Sequence, residues 1–178
     1  METTTQKTDR RMLTGMFNDR AGAEGAYSAL ESRGYSKDDV NMVMSDETRK
    51  KHFSDDGPDT ELGNKALETA GKGSAIGGTV GAVIGAIAAI GTSVLIPGLG
   101  LIVAGPIAAG LAGAGAGSLA GGIVGALVGT GIPEDRAKEY EEGVKNGGIV
   151  MGVNARNDED AEYFENHWKE NKGEKIYR

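Results

Sequence analysis

The chain has no cysteine, only 4 prolines, one tryptophan and two histidines among its 178 residues. Without cysteine there are no disulfides, thiolate nucleophiles or cysteine-ligated metals, so packing alone must hold the fold, and a reducing compartment suits it. His52 and His167 stand in no HExxH or comparable ligand spacing. Both read as solvated residues, His52 beside a polar Asp55-Asp56 loop. Lysine and arginine are not in excess: the net charge is −7 and the pI about 4.9. That balance excludes a nucleic-acid partner, which needs clustered cations to displace phosphate counterions. The first residues, Met1 to Arg11, are polar with no apolar h-region, which predicts no cleavable secretory signal.

Catalytic motifs are missing too. Gly71-Lys72-Gly73-Ser74 lacks the first glycine of a phosphate loop and has glycine where Ser or Thr should follow the lysine. No GxGxxG turn and no GxSxG elbow occurs. The expectation is a protein that is not an enzyme and has no catalytic residue, cofactor, metal or small-molecule substrate.

The chain is rich in glycine, with 30 residues, and these are concentrated in one segment. From Gly73 through Ile132 no residue is charged, although 25% of the whole chain is, and no aromatic occurs between Phe53 and Tyr140. The charges and aromatic anchors therefore sit in the flanks. Five segments follow: a polar tail at 1–11, the first half of an α/β domain at 12–45, a polar connector at 46–72, an apolar insert at 73–132 and the second half of the domain at 133–178.

In the first half, Met12 to Phe17 reads as a strand, with Leu13, Gly15 and Phe17 on one face and Met12, Thr14 and Met16 on the other. Asn18 or Asp19 then caps a helix whose apolar positions are Ala23, Ala26, Tyr27 and Leu30, ending near Gly34. Val40 to Met44 is a second strand, placed parallel to the first by the βαβ connection. The connector is polar up to a helical pattern at Leu62, Ala66 and Leu67. In the second half, Pro133 opens a helix with a stripe of Ala137, Tyr140 and Val144. A strand follows over Ile149 to Ala155, then a helix capped by Asp158 with Ala161, Phe164 and Trp168 on one face, then a short strand at Ile176-Tyr177. The predicted class is α+β, specifically two ferredoxin-like βαβ halves with helices on one face of a small sheet, interrupted by the insert.

Inside the insert, Gly73, Gly77, Gly81 and Gly85 repeat every four residues, and so do Gly113, Gly117, Gly121, Gly125 and Gly129. A four-residue step drifts by only about 40° around a helix, so each ladder forms a groove without side chains. Glycine in an exposed helix interior loses about 1 kcal/mol relative to alanine, which close backbone packing must offset. The spacing predicts a helical hairpin of two arms, each of about 20 residues, with Thr92 to Pro106 as an oily turn. Two readings of its partner stay open. One is a soluble homo-oligomer with an apolar centre; the other is membrane lipid, since such an arm spans roughly 30 Å. The location is cytoplasmic, or at the inner membrane in the second case. A third reading makes the hairpin the anchor of a ligand-binding ferredoxin-like domain.

Leu13-Thr14-Gly15-Met16-Phe17-Asn18-Asp19 before an Ala-rich helix, the glycine-rich hairpin, and Gly131-Ile132-Pro133-Glu134-Asp135 running to Tyr140-Glu141 and Gly147-Gly148-Ile149-Val150 together carry a family likeness. The chain resembles the bacterial general stress protein family, whose members include proteins called heat-induced or low-temperature-induced. The likeness covers nearly everything outside the tail and connector, and Gly131-Ile132-Pro133-Glu134 is its most distinctive piece. It implies a role under stress, with no catalytic residue or cofactor to carry over.

Overall fold

A computed structural model of the protein describes residues 12–53, 94–96, 100–106, 108, 122–129 and 131–178. In chain order its elements are β1 (Met12–Phe17), α1 (Arg20–Ser32), β2 (Val40–Ser45), α2 (Asp46–Phe53), β3 (Val94–Ile96), β4 (Leu101–Ala104), α3 (Gly122–Gly129), α4 (Glu134–Lys145), β5 (Ile149–Asn154), α5 (Asp158–Glu170) and β6 (Glu174–Tyr177). The strands form one mixed-order sheet, β3-β4-β2-β5-β1-β6, in which every neighbouring pair is antiparallel. Because β1 and β2 each run antiparallel to β5, they are parallel to each other, with β5 between them.

Strand alternation divides the core in two. Leu13, Phe17, Met42, Met44, Met151 and Val153 point to one face, under Ala23, Ala26, Tyr27 and Leu30 of α1 and Phe164 and Trp168 of α5. Met16, Val43, Val103 and Val150 point to the other, under Ile123 and Leu127 of α3 and Ala137, Tyr140 and Val144 of α4. The sheet is thus covered by helices on both faces, which corrects the expectation of helices on one. The physical reason is visible in β1, β2 and β5, whose consecutive residues are nearly all buried, as two-sided coverage requires.

Three other readings change. Thr92 to Pro106, read as a turn, contains β3 and β4: the apolar run Leu101-Ile102-Val103-Ala104 pairs with the edge of β2 from Met42↔Ala104 to Ser45↔Leu101. The connector is helical at its start rather than only near Leu62, because α2 sinks Thr48 and Phe53 into the domain; Leu62, Ala66 and Leu67 lie outside the described residues. The cap of α5 is Asn157, whose side chain accepts from Asp160 N at 2.7 Å, and not Asp158. Asp19 caps α1 through Gly22 N, also at 2.7 Å.

Four helices end in the same way. In α1, α3, α4 and α5 the C′ amide bonds to C2 and the C″ amide to C3, the paired bonds of a Schellman motif: Gly34 to Glu31 with Tyr35 to Leu30, Gly131 to Val128 with Ile132 to Leu127, Gly147 to Val144 with Gly148 to Gly143, and Lys172 to Lys169 with Gly173 to Trp168. The motif needs a left-handed C′ residue. Glycine supplies it three times, but in α5 the position is taken by Lys172 at φ 60.

Candidate helix-packing site

Of the nine ladder glycines, Gly125 and Gly129 fall on α3. Gly73, Gly77, Gly81, Gly85, Gly113, Gly117 and Gly121 lie outside the described residues. Within α3, Ile123 and Leu127 are buried in the second core. At about 100° per residue, Gly125 and Gly129 stand roughly 160° around the helix from that pair. Val128 beside them is 41% exposed and is the exposed large apolar side chain among the described residues.

Among the described residues of the second arm, α3 is the helical part. Gly122, at the head of α3, has φ +64, a left-handed conformation outside regular helix. Its eight residues span roughly 12 Å at 1.5 Å each, well short of a bilayer core. No helix among the described residues is long and apolar enough to cross a membrane. The other end of α3 is fixed by Gly131, where Ile132 folds back on Leu127; both are buried. That contact is the apolar clasp expected between C″ and C3 of a Schellman motif.

Close approach through glycine does occur in the flanking domain, at positions outside the ladders. A Cβ on Gly25 would overlap Asn171 Oδ1, and one on Gly22 would lie 2.6 Å from the Asn171 carbonyl oxygen. The start of α1 can therefore lie against the end of α5. A Cβ on Gly143 would likewise overlap Met16 Sδ, which lets α4 sit close on β1. The signal in the sequence is a single pair or a lone glycine facing a bulky strand residue, with no period to reveal it.

Polar groups in the two cores are matched. Tyr140 Oη lies 2.9 Å from Thr14 Oγ1 and 2.8 Å from the Lys175 carbonyl. With one phenolic proton, Tyr140 donates to the carbonyl and accepts from the Thr14 hydroxyl, and burial raises its pKa. On the opposite face, Arg156 N donates to Tyr35 Oη at 2.7 Å, and Tyr35 donates to Asp160 Oδ2 at 2.8 Å. Asp160 also receives Arg33 Nη1 at 3.2 Å. No buried side-chain polar atom among the described residues is left without a partner. The arrangement ties loops to helix ends.

No family model, curated protein or solved structure matches this chain. His167 Nδ1 lies 3.1 Å from the Tyr163 carbonyl, and His52 stands in the last turn of α2. Among the described residues no three His, Asp or Glu side chains converge as metal ligands.

Proposed function

We propose that the protein is a non-enzymatic stress-response protein that assembles with copies of itself through its glycine ladders. The observation that carries this reading is the orientation of α3. Its leucine and isoleucine serve the domain core, while Gly125 and Gly129, the last steps of the second ladder, stand on the opposite side. Glycines in a helix interior lower its stability by about 1 kcal/mol each unless another backbone lies against them. The stress role rests on the resemblance carried by Gly131-Ile132-Pro133-Glu134. The strand order β2-β5-β1-β6 with α1 and α5 on one face supports a ferredoxin-like core, to which β4 and β3 add an edge. The proposed location is the cytoplasm.

The test is Gly81→Leu combined with Gly121→Leu, read as particle mass by light scattering in detergent-free buffer. A smaller particle is expected, and an unchanged mass sinks the proposal. The uncharged run from Gly73 to Ile132 favours a second reading, a membrane-inserted or pore-forming protein with a regulatory soluble domain. Dye leakage from liposomes, together with recovery of the protein in the membrane fraction, would select it.

A further inference from the structure

We propose that the last turn of α2, residues 51–53, is an acid-sensitive latch: protonation of His52 adds a cation to a corner already held by cations and undocks the turn from α1. The inference concerns the junction where the α/β domain leads into the connector, and it stands whether or not the ladders assemble.

Three contacts hold the turn. Phe53 is buried in the first core. Arg20 of α1 donates from Nη1 to the His52 carbonyl at 2.7 Å. The same guanidinium lies 5.5 Å above the Phe53 ring, whose centroid is 6.4 Å from that of His52. Arg20 is steadied in turn by Glu24.

A helix C-terminus ordinarily welcomes a protonated histidine, because its free carbonyls carry partial negative charge. Here Arg20 already occupies the His52 carbonyl, and Lys51 adds a second cation next to the ring. The facing acid, Asp19, is committed to Gly22 N and lies 3.4 Å from Lys172. Lys50 is paired with Asp46 at 2.6 Å. Burial, then Lys51 and Arg20, hold the imidazole below its ordinary range against a weaker opposing pull from Asp19. The docked turn therefore binds fewer protons than the released turn, so docking is complete above the ordinary histidine value of about 6.5 and weakens as pH falls below it.

His167 on α5 is the one other histidine in the chain, so a single substitution isolates the effect. The experiment uses the full chain and measures amide-exchange protection of residues 51–53, corrected for intrinsic rates, at pH 7.5 and 5.5. Wild type is expected to lose protection several-fold at the lower pH. His52→Gln should keep it, and His52→Lys should already show the loss at pH 7.5. Equal loss in wild type and His52→Gln overturns the proposal. Constant protection in wild type overturns it too. Where a variant does not fold, the NMR titration of His52 in wild type decides: a midpoint at or above the ordinary histidine value overturns the latch.

Discussion

Met16 fills the space that a side chain on Gly143 would require. Its sulfur would overlap a Cβ built there, and it also lies 3.3 Å from the position of a Cβ on Gly148, so it has little room to swing aside. Alanine at 143 improves helix propensity by about 1 kcal/mol, yet overpacking a filled core loses about 1–3 kcal/mol. We expect Gly143→Ala to lower stability in urea denaturation. Combining it with Met16→Ala should lose less than the sum of the two single changes, because the pair shares one space.

Lys172 is a non-glycine residue at the C′ position that α1, α3 and α4 give to glycine. Its ion pair with Asp19 is long, at 3.4 Å, and the lysine side chain is largely exposed, so that pair adds little. Lys172→Gly should therefore stabilise the protein by about 0.5–1 kcal/mol, relieving the left-handed strain at some loss in unfolded-state entropy. The control is Gly131→Ala, which should lower the melting temperature. A drop in melting temperature for Lys172→Gly would refute the strain argument.

Tyr140 and Tyr27 give the protein an alkaline limit. Burial pushes Tyr27 up to about 12 and raises Tyr140 further. Their protonated forms are favoured in the folded state, so the unfolded chain releases protons first. Stability is complete below about pH 10, the ordinary tyrosine value, and falls as pH rises above it. Tyr140→Phe should flatten part of that slope. At neutral pH it should lower stability by about 1–2 kcal/mol, since the Thr14 hydroxyl loses its acceptor and the Lys175 carbonyl its donor in a buried site. Urea melts at pH 7 and pH 11 measure both effects.

Gly152 presents the opposite case from Gly143. It pairs with Thr14 on one side and Asn41 on the other, and a Cβ there would meet its nearest atom, Thr14 Cγ2, at an ordinary 3.5 Å. A small void bordered by Leu127, Ile132 and Val150 lies beside it. Gly152→Ala should raise stability by about 0.5–1 kcal/mol, seen as a higher urea midpoint with the same slope.

Much of the α/β domain was legible because periodicity reports burial. The stripe Ala23, Ala26, Tyr27 and Leu30, its counterpart Ala137, Tyr140 and Val144, and the set Ala161, Phe164 and Trp168 are all buried as their spacing predicts. Two-sided coverage was less legible, since Met12-Leu13-Thr14-Gly15-Met16-Phe17 satisfies alternation whether one face or both are covered. Strands β3 and β4 were missed because Leu, Ile and Val between Val94 and Ala104 look alike in a turn, a helix or a strand until the edge of β2 gives β4 a partner and β4 gives one to β3. The ladders showed in the sequence as a period, but a period does not reveal that Gly122 turns left-handed. Gly22, Gly25 and Gly143 were invisible because their meaning lies in Asn171 and Met16, far away along the chain.

The position of β5 has a consequence for how the molecule comes into being. It lies between β1 and β2, pairing Leu13 with Val153 on one side and Met42 with Met151 on the other. A growing chain therefore carries two strands with no partner in common until Ile149–Asn154 has been made, after the whole uncharged stretch has emerged. Such long-range closure is slow, and it leaves apolar surface open meanwhile. Conditions that delay translation or folding would expose this chain to association with its neighbours before its own sheet is complete.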